Sequence, residues 1–108
     1  MIIETDDESL WELYNEGKTG GKEYRFLPDS VVKGYVKAVN YLKWAQDINE
    51  LMRIGGLHYK RLNGDLKEYE SVRCNGRWRL VFKSYADQGQ TKITNVKLIK
   101  LSDHYGDL

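Results

Sequence analysis

The hydrophobic pattern of this 108-residue chain changes its period at Gly55-Gly56. Before these glycines, apolar residues recur every three or four positions, as in helices that bury one face. After them, apolar and polar residues alternate, which indicates strands that are buried on one side only. We therefore predict a single α+β domain, residues 1–108, in which helices pack on one face of an antiparallel sheet and leave the other face open.

Two or three helices are predicted in the first half of the chain. Thr5 to Glu8 match a capping box in front of a short acidic helix, which Gly17 would end. Asp47 is the N-cap candidate of a third, short helix. Between them, Pro28 opens a longer helix with apolar positions at Val32, Tyr35, Val36, Val39, Leu42 and Ala45.

Four strands are predicted in the second half, as an antiparallel meander. They are Leu57 to Leu62, Tyr69 to Cys74, Trp78 to Tyr85 and Thr91 to Leu101. Asn63-Gly64-Asp65 and Asp87 to Gln90 supply turn residues between them. Met1 to Ile3 is a candidate short edge strand beside this sheet.

Asn75-Gly76 signals a tight hairpin turn, and the loop length decides which side chains share a face. A two-residue loop would mix apolar and cationic side chains on both faces. A three-residue loop gives the pairs Cys74 with Trp78, Arg73 with Arg79, and Val72 with Leu80. Because a slip of one residue turns every side chain over, burial favours this second register. Two guanidinium groups would then face each other on the open face, where an anion between them would relieve their repulsion.

Charge is divided unevenly along the chain. Residues 1–30 carry eight acidic and three basic residues, net −5, whereas residues 53–83 carry eight basic and three acidic residues, net +5. A cationic hairpin with interleaved rings fits a polyphosphate ligand such as RNA, because phosphate contacts supply most nucleic-acid affinity. A solvated sheet face would have the same composition.

The sequence also argues against several classes of protein. Its single cysteine, Cys74, fits a reducing compartment and a structural thiol, and the apolar runs are too short to span a membrane. We expect a cytoplasmic protein. The two histidines and the scattered carboxylates lack the spacing of metal ligands, so we expect neither a metal nor a cofactor.

Three motifs in the second half resemble, in order, the signature of the HigB-like branch of the RelE/ParE toxin superfamily. They are KRLNGD from Lys60, YESVRCN from Tyr69 and WRLVF from Trp78. Upstream, LYNEGKT from Leu13, Leu27-Pro28 and Asn40-Tyr41-Leu42 lie at family-like spacings, so the resemblance covers nearly the whole chain.

The resemblance implies the toxin of a type II toxin-antitoxin pair, with two N-terminal helices packed on an antiparallel sheet. Most such toxins cleave mRNA on the ribosome and are silenced by a cognate antitoxin, often a HigA-like helix-turn-helix protein. We expect the toxin alone to be a monomer. ParE relatives share this fold but inhibit DNA gyrase without cleaving RNA, and a homologue that has lost catalysis would still bind its antitoxin, so fold alone does not choose between these functions.

By position, the resemblance places Arg79 on the arginine that contacts the scissile phosphate and Arg73 on a second basic strand position. Lys60 falls where relatives place a His, a Glu or another group, and His58 would share its strand face and could replace it. We also expect RNA contacts from His58, Arg61, Arg77 and Lys83.

The predicted reaction is attack of a ribose 2′-OH on the adjacent phosphate, without a metal. Many relatives end in Asp-Tyr-His, whereas this chain has Asp103-His104-Tyr105, with the two ring residues exchanged. His104 is the preferred acid or base because an imidazole titrates at about 6.5. Tyr105, Lys60 and His58 are the alternatives. The arginines could instead be surface residues with carboxylate partners, and the tail could be a frayed end.

Overall fold

The computed structural model describes residues 1–63 and 68–103 of the chain. Three α-helices come first: α1 (Glu8–Glu16), α2 (Asp29–Trp44) and α3 (Ile48–Met52), followed by a 3₁₀ turn at Gly55–Leu57. The strands are β1 (Ile2–Thr5), β2 (Lys60–Arg61), β3 (Glu70–Asn75), β4 (Trp78–Ala86) and β5 (Ile93–Ser102). The predicted turn residues Gly64 and Asp65 lie outside the described residues.

The strands form one sheet in the order β1-β5-β4-β3-β2. Strands β2 to β5 are antiparallel neighbours, as predicted, and the candidate edge strand at the N-terminus is confirmed. Because β1 pairs with β5 in the parallel direction, the sheet is mixed and five-stranded rather than four-stranded and antiparallel. The predicted α+β class is confirmed.

Side-chain caps begin two of the helices. The Asp7 carboxylate accepts from the Ser9 N–H at 2.9 Å, so Asp7 is the N-cap of α1, and the predicted cap residue Thr5 instead accepts from the Asp7 N–H. Gly17 ends α1 in the left-handed region with φ of +75°. Asp47 caps α3 as predicted, accepting from the Glu50 N–H at 3.1 Å.

The core lies between α1, α2 and one face of the sheet. Its fully buried members include Leu10, Leu13, Tyr35, Val39, Leu42, Val72, Leu80, Phe82, Val96 and Leu98. Helix α2 approaches β3 closely at Gly34, where an added Cβ would lie 2.2 Å from the carbonyl oxygen of Cys74. Only glycine therefore allows α2 to lie this close to the hairpin.

The β3–β4 hairpin confirms most of the predicted register. Val72 pairs with Leu80 and Arg73 with Arg79, but Asn75 rather than Cys74 pairs with Trp78. The loop is therefore two residues long, and Cys74 is the extra residue of a bulge. Gly76, with φ of +56°, occupies the first loop position, as in a type II′ turn. The bulge reconciles a two-residue loop with separated apolar and cationic faces.

Strand β2 is much shorter than predicted. The segment predicted as a strand from Leu57 to Leu62 begins with the end of a 3₁₀ turn, after which His58 adopts a left-handed φ of +44°. Only Lys60 and Arg61 pair with β3. The expectation that His58 shares a strand face with Lys60 is therefore wrong, because His58 ends the 3₁₀ turn and the strand begins only at Lys60.

Candidate functional site

The sheet face opposite α1 and α2, called the open face below, gathers most of the cationic side chains of the strands. The strand register aligns on it Lys60, Arg73, Arg79, Lys83, Lys97 and Lys100. Lys97 and Lys100 share this face because β5 has an extra residue at Ile99, between the pairs Val81–Lys100 and Phe82–Leu98. The sequence prediction missed both lysines, since a bulge changes which residues alternate.

Arg79 is held in a fixed position on this face. It is 4% exposed, and its Nε–H donates to Ser71 Oγ at 2.8 Å. Its Nη2 donates to the carbonyl oxygens of His58 and Ser71, the latter at 3.3 Å. Buried charged groups need such hydrogen bonds because desolvation is otherwise costly. Ser71, which is fully buried, and the His58 carbonyl thus orient the guanidinium.

Arg73 on β3 is the cross-strand partner of Arg79 on β4, but it is exposed to solvent. Like charges in directly opposed positions destabilise a sheet by roughly 0.2–1 kcal/mol, and an anion between them relieves this cost. The pair combines one cation of fixed orientation with one that a ligand can reach from solvent.

The other residues predicted for the site are only partly brought together. Lys60 is exposed and pairs with Ser71, next to Arg79. Lys83 lies on the open face with its ammonium 3.4 Å from Glu68 and 5.2 Å from the ring centroid of Tyr69. Arg77 is exposed in the hairpin turn, while Arg61 pairs with Glu70 and so lies on the helix side.

Of the residues predicted as acid or base, the structure describes only some. His58 is exposed, and its backbone carbonyl accepts a hydrogen bond from Arg79. His104 and Tyr105 lie outside the described residues, so their role remains a prediction. The last strand ends at Ser102, which pairs with Arg79. The chain therefore leaves the sheet beside the arginine pair, two residues before His104 in the sequence.

A buried carboxylate occupies the helix side of the same hairpin. Glu70 is 2% exposed, and its Oε1 accepts from the Tyr59 hydroxyl at 2.5 Å. Its Oε2 accepts from the N–H and the hydroxyl of Ser84 at 2.9 and 2.6 Å. Burial, followed by the hydrogen bond to Glu70, raises the pKa of Tyr59, so this hydroxyl keeps its proton and donates. Strand alternation with Val72 could have placed Glu70 in the core.

Two further features of the site bear on its chemistry. Burial raises the pKa of the Cys74 thiol from 9.0 to about 12, so this group is not an activated nucleophile. Within residues 1–63 and 68–103, no three side chains of His, Cys, Asp or Glu gather as metal ligands. No helix of that part has both the length and the apolar character that crossing a bilayer requires.

A separate apolar groove runs along α2 on the helix side. Its cavity of about 570 Å³ is lined by the apolar side chains of Val32, Val36, Tyr41 and Trp44 together with Lys33 and Lys37. Trp44 is 71% exposed there. This groove shares no residue with the arginine pair, so it offers positions for control substitutions away from the open face.

Comparison with known proteins gives matches of three kinds. A family model described as the RelE-like toxin of the type II toxin-antitoxin system HigB matches residues 4–98. Toxin HigB-1 of Vibrio cholerae serotype O1 is 29% identical over 83 residues, which cover 77% of this chain and 83% of that protein. The solved YoeB/ParE toxin from Agrobacterium tumefaciens aligns over 97% of this chain and 100% of its own, with a TM-score of 0.53 and 18% identity, and so supports the fold.

Proposed function

This chain belongs to the HigB-like family of RelE-like toxins of type II toxin-antitoxin systems, and we propose that it is a ribosome-dependent, metal-independent mRNA endoribonuclease. Family membership implies a cognate antitoxin as partner; in our proposal this partner is a helix-turn-helix protein, and the free toxin is a cytoplasmic monomer. The observation that carries the proposal is the cross-strand pair of Arg73 and Arg79 on the open face.

The proposed reaction transfers the phosphorus between two oxygens of the RNA. The ribose 2′-oxygen forms a bond to the adjacent phosphorus while the bond to the 5′-oxygen of the next nucleotide breaks. A base removes the 2′-hydroxyl proton, and an acid supplies a proton to the departing 5′-oxygen. Negative charge accumulates on the non-bridging oxygens in the transition state, and fixed guanidinium donors stabilise it.

The two arginines have different parts in this reaction. Arg73, exposed opposite Arg79, makes the first contact with the phosphate. Arg79 is nearly buried and is held by Ser71 and His58, so in our proposal its guanidinium meets the phosphate in the orientation that these two partners set. Hydrogen bonds of this kind commonly tighten only in the complex with substrate.

Proton transfer is assigned to residues near the end of β5. His104 is the proposed acid or base, with Tyr105, Lys60 and His58 as alternatives. Supporting this, Ser102 pairs with Arg79, so the chain reaches Asp103 beside the proposed phosphate position. Lys60, Arg77 and Lys83 add positive charge for the RNA backbone.

The direct test is primer extension on mRNA from a cell-free translation reaction that contains the purified toxin. We expect new 5′ ends near the codon in the ribosomal A site, and none when the same mRNA is incubated without ribosomes. A parallel supercoiling reaction with DNA gyrase tests the ParE-like alternative. Intact mRNA together with inhibited gyrase would replace the ribonuclease proposal by that alternative, and inactivity in both reactions would indicate a homologue without catalysis.

A further inference from the structure

The two buried charged residues of the hairpin, Arg79 and Glu70, are held by neighbouring residues in the same two backbone segments, 58–59 and 70–71. His58 and Ser71 hold Arg79 on the open face, and the residues that follow and precede them, Tyr59 and Glu70, bond to each other on the helix side. A shift of either piece of backbone therefore changes the surroundings of both charges at once.

The segment around His58 is held in an uncommon conformation. Among the described residues, His58 is the one non-glycine residue with a positive φ, at +44°. Such a conformation persists where neighbouring contacts determine it, and it often occurs at functional sites. The His58 N–H donates to the Gly55 carbonyl at 3.2 Å, which fixes one side of the turn. The other side leads directly to Tyr59.

Tyr59 is anchored to the two strands that carry the arginines. Its hydroxyl donates to Glu70 on β3, and Glu70 in turn accepts two hydrogen bonds from Ser84 on β4. Its ring packs against Phe82 with 6.4 Å between ring centroids. The side chain therefore ties the turn at His58 to the hairpin and not only to the edge strand β2.

We propose that Tyr59 is a positioning residue for the ribonuclease reaction: through Glu70 it fixes the turn whose carbonyl, at His58, orients the Arg79 guanidinium. This inference rests on the proposed function. Without the Tyr59 hydroxyl, the turn at His58 loses its link to Glu70, its carbonyl orients Arg79 less firmly, and the guanidinium is less well aligned with the phosphate in the transition state. The chemical step then slows, while RNA binding through the exposed cations is kept.

The test compares Tyr59→Phe with Tyr14→Phe. Each substitution removes one hydroxyl and keeps the ring, and Tyr14 also donates to a side chain, Asn40 Oδ1 at 2.5 Å, but between α1 and α2. We expect Tyr59→Phe to lower kcat for cleavage by roughly tenfold or more with KM changed by less than about twofold. Tyr14→Phe should leave both constants near those of the wild type.

A second measurement separates this inference from the proposed function. In an isotope-labelled toxin, the NMR signal of the Arg79 Nε–H reports on its hydrogen bond to Ser71, whatever the protein cleaves. Tyr59→Phe should shift or broaden this signal, and Tyr14→Phe should not. If the wild type cleaves no RNA, the ribonuclease proposal fails while this signal still tests the coupling.

Two outcomes would overturn the positioning role. One is a folded Tyr59→Phe protein with unchanged kcat and an unchanged Arg79 signal, even if its stability is lower. The other concerns Ser84→Ala, which removes one donor to Glu70 and serves if Tyr59→Phe does not fold. We expect the same changes from Ser84→Ala on a smaller scale, and their absence in that folded variant would also overturn the proposal.

Discussion

Each face of the β3–β4 hairpin buries one charge, Arg79 on the open face and Glu70 on the helix side. Their neighbours differ: Glu70 lies among core residues such as Phe82, whereas Arg79 lies opposite the exposed Arg73. Removing a buried charge that is enclosed by its donors leaves those donors unsatisfied and destabilises the fold. A buried charge beside exposed charges of the same sign is suited to binding a ligand of opposite sign.

The largest expected effect is on the open face. Arg79→Ala should lower kcat for mRNA cleavage by roughly 10²- to 10³-fold, because a fixed donor to the transition-state charge is lost. Single-turnover cleavage on programmed ribosomes measures this, at a temperature well below the melting transition of the variant.

Arg25→Ala is the matched control, since Arg25 is an exposed arginine that lies over the Phe26 ring, in the loop before α2. It should cleave at the wild-type rate. Arg79→Lys keeps the charge but loses the planar fork, and we expect it to stay well below the wild type. Full activity of a folded Arg79→Ala protein would contradict the role assigned to the open face.

On the helix side the expected effect is on stability. Glu70→Ala should lower the free energy of unfolding by about 3 kcal/mol, because the Tyr59 hydroxyl and the Ser84 N–H lose a charged acceptor in the core. Urea unfolding followed by circular dichroism measures it. Glu12→Ala is the control: Glu12 accepts from the Thr19 hydroxyl at 2.7 Å but is exposed, and we expect a loss within about 0.5 kcal/mol. Equal losses in the two variants would remove the distinction between the faces.

The general contrast between the faces could be predicted from the sequence. Strand alternation places Arg73 and Arg79 on one face and Val72 and Leu80 on the other, and burial of the apolar pair selects that register. The helices follow from periodicity and capping residues in the same way. Strand alternation, helical periodicity and capping depend on residues that lie close together in the sequence, so they can be predicted from it.

Other features depend on contacts between distant parts of the chain. The bulge at Cys74 lets a two-residue turn coexist with the favoured register, and the bulge at Ile99 brings Lys97 and Lys100 to the same face. Hydrogen bonding of β1 to β5 and the left-handed turn at His58 likewise require the assembled sheet. The hydrogen bonds that hold Arg79, to Ser71 and the His58 carbonyl, therefore could not be predicted, although the position of Arg79 on the open face could.

A smaller effect distinguishes the exposed arginine from the buried one. Arg73→Ala should raise KM for ribosome-bound mRNA by roughly tenfold and change kcat less, because an exposed cation contributes mainly to binding the phosphate. The dependence of binding on salt should become shallower by about one unit of the log–log slope. Arg25→Ala, which removes an exposed arginine in the loop before α2, should change neither quantity. A kcat loss as large as that of Arg79→Ala would show that the two arginines do not differ in role.

The smallest effect concerns the proton that Tyr59 donates to Glu70. Burial, followed by this hydrogen bond, raises the pKa of Tyr59 above its ordinary value of 10.0. The folded chain keeps the proton where the unfolded chain loses it, so the stabilisation is complete below pH 10 and is lost as the pH rises above it. Urea midpoints between about pH 8 and about pH 11 should therefore fall more steeply for the wild type than for Tyr59→Phe. Tyr24 and Tyr35, whose pKa values are raised mainly by burial, contribute equally to both proteins and cancel in this comparison. Parallel declines of the urea midpoints would mean that the Glu70 carboxylate is held without help from Tyr59. The proposed coupling between Glu70 and Arg79 through Tyr59 would then be contradicted.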